Sequence, residues 1–187
     1  MATAEVDAVL PEERVVLVDS SDREMGSMEK LRAHEEGALH RAVSVFVFDR
    51  LGRLLLQQRS AAKYHAARLW SNSCCGHPRP GESPFAAAER RLKEEMGLEC
   101  PLRPVTTFLY RATVGTLVEH EFDHVFVGLC DHDPRPDPTE VMAWRTARMS
   151  ELERDLSDRP DRYTPWLPLA LAALGRAGWQ PPPADGS

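Results

Sequence analysis

Apolar and polar positions along the chain fall into two periods, one of strands and one of helices. Ala42–Phe48 is apolar except for Ser44 and reads as a strand, and Asp49–Gly52 supplies the turn into a second strand at Arg53–Gln58. Ahead of them lie a short strand at Arg14–Asp19 and a short helix or turn at Met28–Glu35. A long polar loop runs from Ser60 to Pro80 and carries Lys63, Tyr64 and His65. Loops of that length in compact domains are usually functional or disordered. The Glu82-Ser83-Pro84 turn caps a helix over Phe85–Met96, which Gly97 closes. Strands follow at Thr106–Thr113 and Leu117–Cys130, then a proline-rich break at Pro134–Pro138 and a strand at Val141–Trp144. Helices are predicted at Ser150–Leu156 and Trp166–Arg176, and no internal repeat is visible. The result is a mixed α and β chain with one domain over residues 14–177, a flexible extension before it and a disordered tail over 178–187.

Charge and cysteine usage narrow the partners. A formal net charge of −6 leaves no electrostatic footprint for nucleic acid or an anionic membrane. A local basic pocket for a phosphorylated ligand remains compatible with that balance. No apolar run approaches the roughly twenty residues a membrane span needs. Glu5, Asp7, Glu12 and Glu13 make the N-terminus unlike a secretory signal. Four cysteines, at 74, 75, 100 and 130, lack the spacing of a disulfide framework, so a reducing cytoplasm is expected.

The first chemical signal starts at Gly76. Five residues separate it from Glu82 and seven more separate Glu82 from Arg90; Leu92, Glu94-Glu95 and Gly97-Leu98 follow. This is the spacing G-x5-E-x7-R-E-U-x-E-E-x-G-U (U aliphatic) of a Nudix box, with Arg91 where the pattern has glutamate. An isolated Glu-Glu would be read as a solvated helix face, but agreement across the whole frame favours carboxylates that hold a hard divalent cation. Glu95 and Arg91 are four apart and share a helix face, whereas Glu94 points about 100° away. Arg91 removes one acid from the cluster that gathers metal in Nudix hydrolases, which weakens a hydrolase reading.

The second signal is a scattered donor set. His34 and His40 flank a loop, His77 follows Cys75-Gly76, and Glu119 and Glu121 project from one face of a strand, with His120 pointing the other way. Three imidazoles with added carboxylates suit Zn²⁺, Mn²⁺ or Fe²⁺. A lone histidine is more often a surface or hydrogen-bonded residue, and His65, His124 and His132 are read that way.

Several stretches together carry a family resemblance: Glu29-Lys30, Leu39-His40-Arg41-Ala42, Leu55-Leu56-Gln57-Gln58-Arg59, Trp70-Ser71-Asn72-Ser73-Cys74-Cys75-Gly76-His77-Pro78, Tyr110-Arg111-Ala112, Glu119-His120-Glu121, Trp144 and Thr164-Pro165-Trp166. The chain resembles the type 1 isopentenyl-diphosphate delta-isomerases of the Nudix superfamily over roughly residues 14 to 170. The resemblance implies an α/β (α+β) fold, a Nudix-type mixed β-sheet sandwich flanked by helices. It implies conversion of isopentenyl diphosphate to dimethylallyl diphosphate. Glu121 and Tyr110 take the position of the protonating group, the choice between them left open, and Cys75 faces them from the opposite side. By the same resemblance His34, His40, His77, Glu119 and Glu121 hold one Mn²⁺ or Zn²⁺, and Cys75 and Glu95 lie at the Mg²⁺ that travels with the diphosphate. Lys30, Arg59, Lys63 and Arg91 match positions that neutralise the diphosphate, and Trp166 offers a π face to the carbocation. A monomer or weak dimer is expected, without nucleic acid or membrane partners. The alternatives are a Nudix pyrophosphohydrolase acting on a nucleoside diphosphate derivative and a non-catalytic binding module. Plainer roles also exist: Cys75 as a buried apolar thiol, Trp166 as an anchor for the last helix, Lys63 as a solvated side chain.

Overall fold

In the computed structural model, residues 13–63 and 65–183 are described. Among them are nine strands and four α-helices in one mixed sheet. The N-terminal hairpin pairs β1 (Arg14–Val18) with β2 (Glu24–Glu29), and α1 (Lys30–Glu36) follows directly. Here the short helix or turn expected at Met28–Glu35 is corrected at its start. Met28 and Glu29 belong to a strand that forms because β1 offers an edge, and Glu29 caps the helix by accepting from Leu31 N (2.8 Å) and Arg32 N (2.7 Å). Gly37, with φ of 63°, ends α1 in the left-handed conformation that glycine adopts without strain.

The centre of the sheet is β3 (His40–Phe48), parallel to β8 (Leu117–Leu129) over nine residue pairs from His40↔Glu121 to Phe48↔Leu129. On the other side of β3 lies β6 (Cys74–Gly76), paired through Ser44↔Cys75. Beyond β8 comes β7 (Leu102–Val114), and β4 (Leu54–Arg59) pairs with β5 (Trp70–Ser71) and β9 (Val141–Ala147). Side chains of β3 alternate between two cores. Val43, Val45 and Val47 pack under α2 (Pro84–Met96), against Leu92 and Met96. Phe46 and Phe48 pack on the opposite side with Leu152 of α3 (Met149–Asp158) and Leu167 and Leu174 of α4 (Trp166–Arg176). Burial on both faces explains why β3 reads as a continuous apolar run rather than a clean alternation.

The loop expected over Ser60–Pro80 contains the two short strands β5 and β6, whose pairing rests on polar side chains. Ser73 Oγ donates to Leu55 O (2.7 Å) and accepts from Val47 N (2.8 Å), while the Asn72 amide donates to Val45 O (3.1 Å) and Cys74 O (2.8 Å). These bonds satisfy buried backbone where a ladder is too short to do so. Two domain limits also shift. Glu13, assigned to the extension, accepts from Lys30 Nζ at 2.9 Å, and residues 1–12 lie outside the described set. Residues 178–183, assigned to a disordered tail, continue the second core: the Trp179 ring lies 4.5 Å from that of Phe48, and Pro182 O covers the β3–β4 turn at Gly52. Residues 184–187 lie outside the described set.

Candidate active site

The strand order brings the scattered donors to one place. His40 opens β3, Glu121 lies opposite it on β8, and Tyr110 of β7 pairs with Glu121 across the next ladder. His34 comes from α1 and His77 from the end of β6. His34, His40, His77, Glu119 and Glu121 each offer one ligand atom, and these atoms all lie within 4.8 Å of one another. His40 Nε2 is 3.2 Å from His77 Nε2, His77 Nε2 is 2.9 Å from Glu121 Oε1, and His34 Nε2 is 3.1 Å from Glu119 Oε2. The other ring nitrogens of two histidines face backbone carbonyls: His34 Nδ1 with Lys30 O at 2.6 Å, and His40 Nδ1 with Ala38 O at 2.8 Å. Those contacts fix ring orientation and turn Nε2 toward the cluster, the usual arrangement of a metal-binding imidazole. Three imidazoles and two buried carboxylates converging on one point fit a divalent first-row metal. Burial, with His40 and Lys30 nearby, pushes His77 well below its ordinary value, leaving the ring neutral as coordination requires.

The sequence read His65 as a bystander, and the structure leaves it out of the five-donor group but sets it against one of the donors. His65 Nε2 lies 2.5 Å from Glu119 Oε1. Its loop position gave no periodic signal, and only the folded chain brings it to β8. His124 by contrast pairs with Asp22 at 2.9 Å, outside the cluster, and His132 is exposed.

Beside the cluster opens a pocket of about 580 Å³, including its mouth, into which Cys75, Tyr110 and Glu121 all face. Tyr110 Oη donates to Glu121 Oε2 at 2.6 Å. Burial works to raise the Glu121 pKa, but the hydrogen bonds from His40 and Tyr110 hold it below the ordinary carboxylate range. Burial and the adjacent Glu121 push the Tyr110 phenol well up. Across β3, the Cys75 thiol donates to Asn72 Oδ1 (3.1 Å) and lies 3.7 Å from Ser44 Oγ, which itself donates to Asp123 Oδ2 (2.7 Å). Burial, with Asp123 nearby, raises the Cys75 thiol to about 12. Cys74 points the other way into the core under α2.

The pocket is also lined by cations, and three of them meet acids. Lys30 bonds Glu13, Lys63 bonds Glu140, and Arg91 bonds both Glu95 and Glu94, the latter at 2.7 Å. Gln57 Nε2 donates to Glu95 Oε2 at 2.8 Å. Glu13, Gln57 and Glu140 were missed in the sequence because nothing in their local patterns separates them from surface residues. The two fixed box positions Glu82 and Arg90 serve the loop instead: their two 2.7 Å bonds staple it to α2, and Arg90 Nη2 donates to His77 O at 3.2 Å. Arg59 donates to the carbonyls of His65 and Ala66, both at 3.2 Å, and its guanidinium lies 5.3 Å from the centroid of the Trp166 ring. Trp166 lines the pocket, with its indole N–H fixed by Ser71 Oγ at 3.0 Å.

Comparison with known proteins places this geometry. Residues 38–167 match the NUDIX domain family, and solved structures with this fold include the DR0079 protein of Deinococcus radiodurans (TM-score 0.72, 20% identity, covering 86% of this chain and 99% of that one). A MutT protein from Methanosarcina mazei is also similar, with TM-score 0.62 and 18% identity over 76% of this chain and 96% of that one. Those identities speak to fold alone. Among curated sequences, the isopentenyl-diphosphate Delta-isomerase of Serratia proteamaculans is 50% identical over 165 residues, 88% of this chain and 92% of the relative. That of Burkholderia multivorans is 52% identical over 165 residues, 88% and 94% of the two chains. The chain therefore belongs to the isopentenyl-diphosphate Delta-isomerases and is an isomerase with a Nudix fold.

Proposed function

We propose that the pocket converts isopentenyl diphosphate to dimethylallyl diphosphate by proton delivery from the Tyr110–Glu121 pair and proton removal by Cys75. The observation that carries this reading is their placement: a thiol on β6 and a phenol–carboxylate pair on β7 and β8 flank β3 from its two sides and open into one pocket. An unactivated alkene is a very poor base, so its protonation needs a positioned acid in a site that excludes water. The hydrogen-bonded Tyr110–Glu121 pair shares its proton and acts as one acid toward C4. Positive charge then develops at C3, where the Trp166 face offers a cation–π contact worth about 2 kcal/mol when desolvated. Cys75 takes the C2 proton, which requires that its thiol ionise first. Lys30, Lys63 and Arg91 exchange their carboxylate partners for the diphosphate, and Arg59 adds its charge from the pocket wall while keeping its carbonyl bonds.

Two divalent ions fit these residues: Mn²⁺ or Zn²⁺ with His34, His40, His77, Glu119 and Glu121, and Mg²⁺ at Glu95 beside Cys75. Bound there, they supply positive charge that favours the thiolate and the ionised diphosphate. Four free cysteines fit a reducing cytoplasm, and no described helix is long and apolar enough to cross a membrane. Residues of one chain supply the lining of the pocket, which accords with a monomer or weak dimer, and the net charge of −6 gives no reason to invoke nucleic acid.

The pyrophosphohydrolase reading is disfavoured by Arg91, which occupies an acidic box position and ties up Glu95. Incubation with isopentenyl diphosphate, Mg²⁺ and Mn²⁺ or Zn²⁺ in deuterated water, followed by NMR, tests the assignment. Dimethylallyl diphosphate with deuterium in a methyl group and no phosphate release is expected. Absence of allylic product with every metal, alongside phosphate release from nucleoside diphosphate derivatives, would overturn it.

A further inference from the structure

The loop between β4 and β5 contributes more than cations to the pocket. Two of its residues, Ala66 (φ 47°) and Arg68 (φ 65°), sit in the left-handed region that L side chains rarely adopt. That backbone is held: Arg59 donates from Nε to Ala66 O and from Nη2 to His65 O, and Arg68 N donates to Arg59 O at 3.1 Å. The effect is to turn the His65 ring inward, with 9% of its side chain exposed, 6.1 Å from the Trp166 ring and 5.7 Å from that of His34. Its Nε2 meets Glu119 Oε1, while the other carboxylate oxygen, Oε2, faces His34 Nε2. Two histidines thus bracket one carboxylate, but only His34 stands in the five-donor group.

We propose that His65 is a positioning residue: it donates a hydrogen bond to Oε1 of Glu119 and fixes the rotamer in which Oε2 faces His34, so that the carboxylate is set for a metal the cluster would hold. Strain in the loop backbone is tolerated because Arg59 locks it, so a single guanidinium both holds the His65 segment and lines the pocket. The diphosphate end and the metal end are thereby joined through one short segment, Arg59–His65–Glu119. This rests on the metal-dependent reading above only in that the cluster binds a metal; it is independent of which substrate is turned over.

The test uses the full chain loaded with Co²⁺, whose visible spectrum reports the atoms bound directly to the metal. Affinity is measured by competition with a chelator for the wild type, His65→Ala, His65→Gln and His34→Ala. Loss of a partner that orients a metal ligand typically weakens binding 10- to 100-fold, so His65→Ala is expected to fall roughly in that range with its spectral shape unchanged. His65→Gln, whose side-chain amide can donate to the same oxygen, should recover most of the loss. His34→Ala should change the spectrum itself. An affinity within about twofold of wild type for His65→Ala would overturn the proposal, as would a His65→Ala spectrum altered like that of His34→Ala, which would make His65 a direct ligand. Failure of His65→Gln to bind better than His65→Ala would also overturn it. Isopentenyl diphosphate turnover by the wild type, run in parallel, separates failure of this proposal from failure of the isomerase assignment.

Discussion

Arg91 is the residue at which the chain leaves the Nudix pattern, and replacing it by alanine isolates what it does. Its guanidinium pairs with Glu95 and Glu94 and stands 3.4 Å from Glu140. The Glu94 pair is partly exposed, and Arg90 also reaches Glu94 at 3.1 Å, so its loss should cost no more than about 1 kcal/mol. The Glu95 pair is different. Glu95 is 3% exposed, and without Arg91 its charge would keep only the 2.8 Å bond from Gln57. Removing one partner of a buried pair costs roughly 3–5 kcal/mol because the remaining charge is left uncompensated. The Gln57 bond argues for the lower end, about 3 kcal/mol. At roughly 2–4 °C per kcal/mol for a chain of this size, that is a fall in Tm of about 6–12 °C.

The assay is equilibrium urea denaturation and thermal melting in EDTA, for wild type, Arg91→Ala, Glu95→Gln and the double variant. If the cost arises from a stranded carboxylate, Glu95→Gln should rescue Arg91→Ala, and the double variant should be clearly more stable than the sum of the single losses. Mg²⁺ should also stabilise Arg91→Ala more than wild type, since a cation then takes the place of the guanidinium. An Arg91→Ala protein within about 1 kcal/mol of wild type, or strictly additive variants, would refute the argument. The ion pair would then be an ornament of the helix rather than the counter-charge of Glu95.

Three further outcomes follow from the same geometry. A Cβ at Gly76 would lie 2.6 Å from Arg91 Cγ, so Gly76→Ala should displace Arg91, lower stability by about 1–3 kcal/mol and cut turnover; unchanged melting and kinetics would contradict the close approach. Tyr110→Phe keeps the ring packed on Phe108 (centroids 5.4 Å) but removes the proton shared with Glu121, so kcat should fall by roughly 100-fold or more with KM little changed; near-normal kcat would assign the acid to Glu121 alone. With its pKa raised to about 12 by burial and Asp123, the Cys75 thiol should resist iodoacetamide at pH 8 in EDTA far more than the same thiol in urea. A thiol whose folded pKa lies above its unfolded value supports the fold below pH ~9. That support is lost as pH rises toward 12, so alkylation should accelerate and stability decline together in that window. Rapid alkylation at pH 8 would contradict the buried-thiol geometry.

What the sequence made legible was set by periodicity and by rigid spacing. The β3 run is apolar because both its faces are buried, and the box spacing is fixed because Glu82 must reach Arg90 across a loop that ends in a helix. Elements built by long-range pairing left no such trace. Glu24–Glu29 has no apolar alternation and is a strand only through β1, while β5 and β6 are too short for a period and depend on Asn72 and Ser73. The histidine cluster could be assembled from residue types and family resemblance, but His65 could not, because its partner is reached by a loop held in two left-handed residues. Trp179 was lost to a proline-rich tail composition that suggested disorder, although its ring packs on Phe48.

The fold also explains how a diphosphate-binding frame can host carbon chemistry. The box-helix acid that lines the pocket, Glu95, is held by Arg91, and Glu140, just ahead of β9, is held by Lys63 and Arg91. A helix arranged in that way can hold a diphosphate with one divalent ion but is poor at assembling the metal cluster that would activate water against it. The reactive groups lie elsewhere, on strands that reach the site from either side of β3. Cys75 depends on Asn72 for the direction of its thiol, and Glu121 depends on Tyr110, His40 and His77 for its charge state and rotamer. β3, which joins them and is packed on both faces, cannot shift easily, so the distance between acid and base is set by the sheet rather than by loops. That rigidity suits a reaction in which one proton arrives and another leaves on opposite sides of a single carbocation.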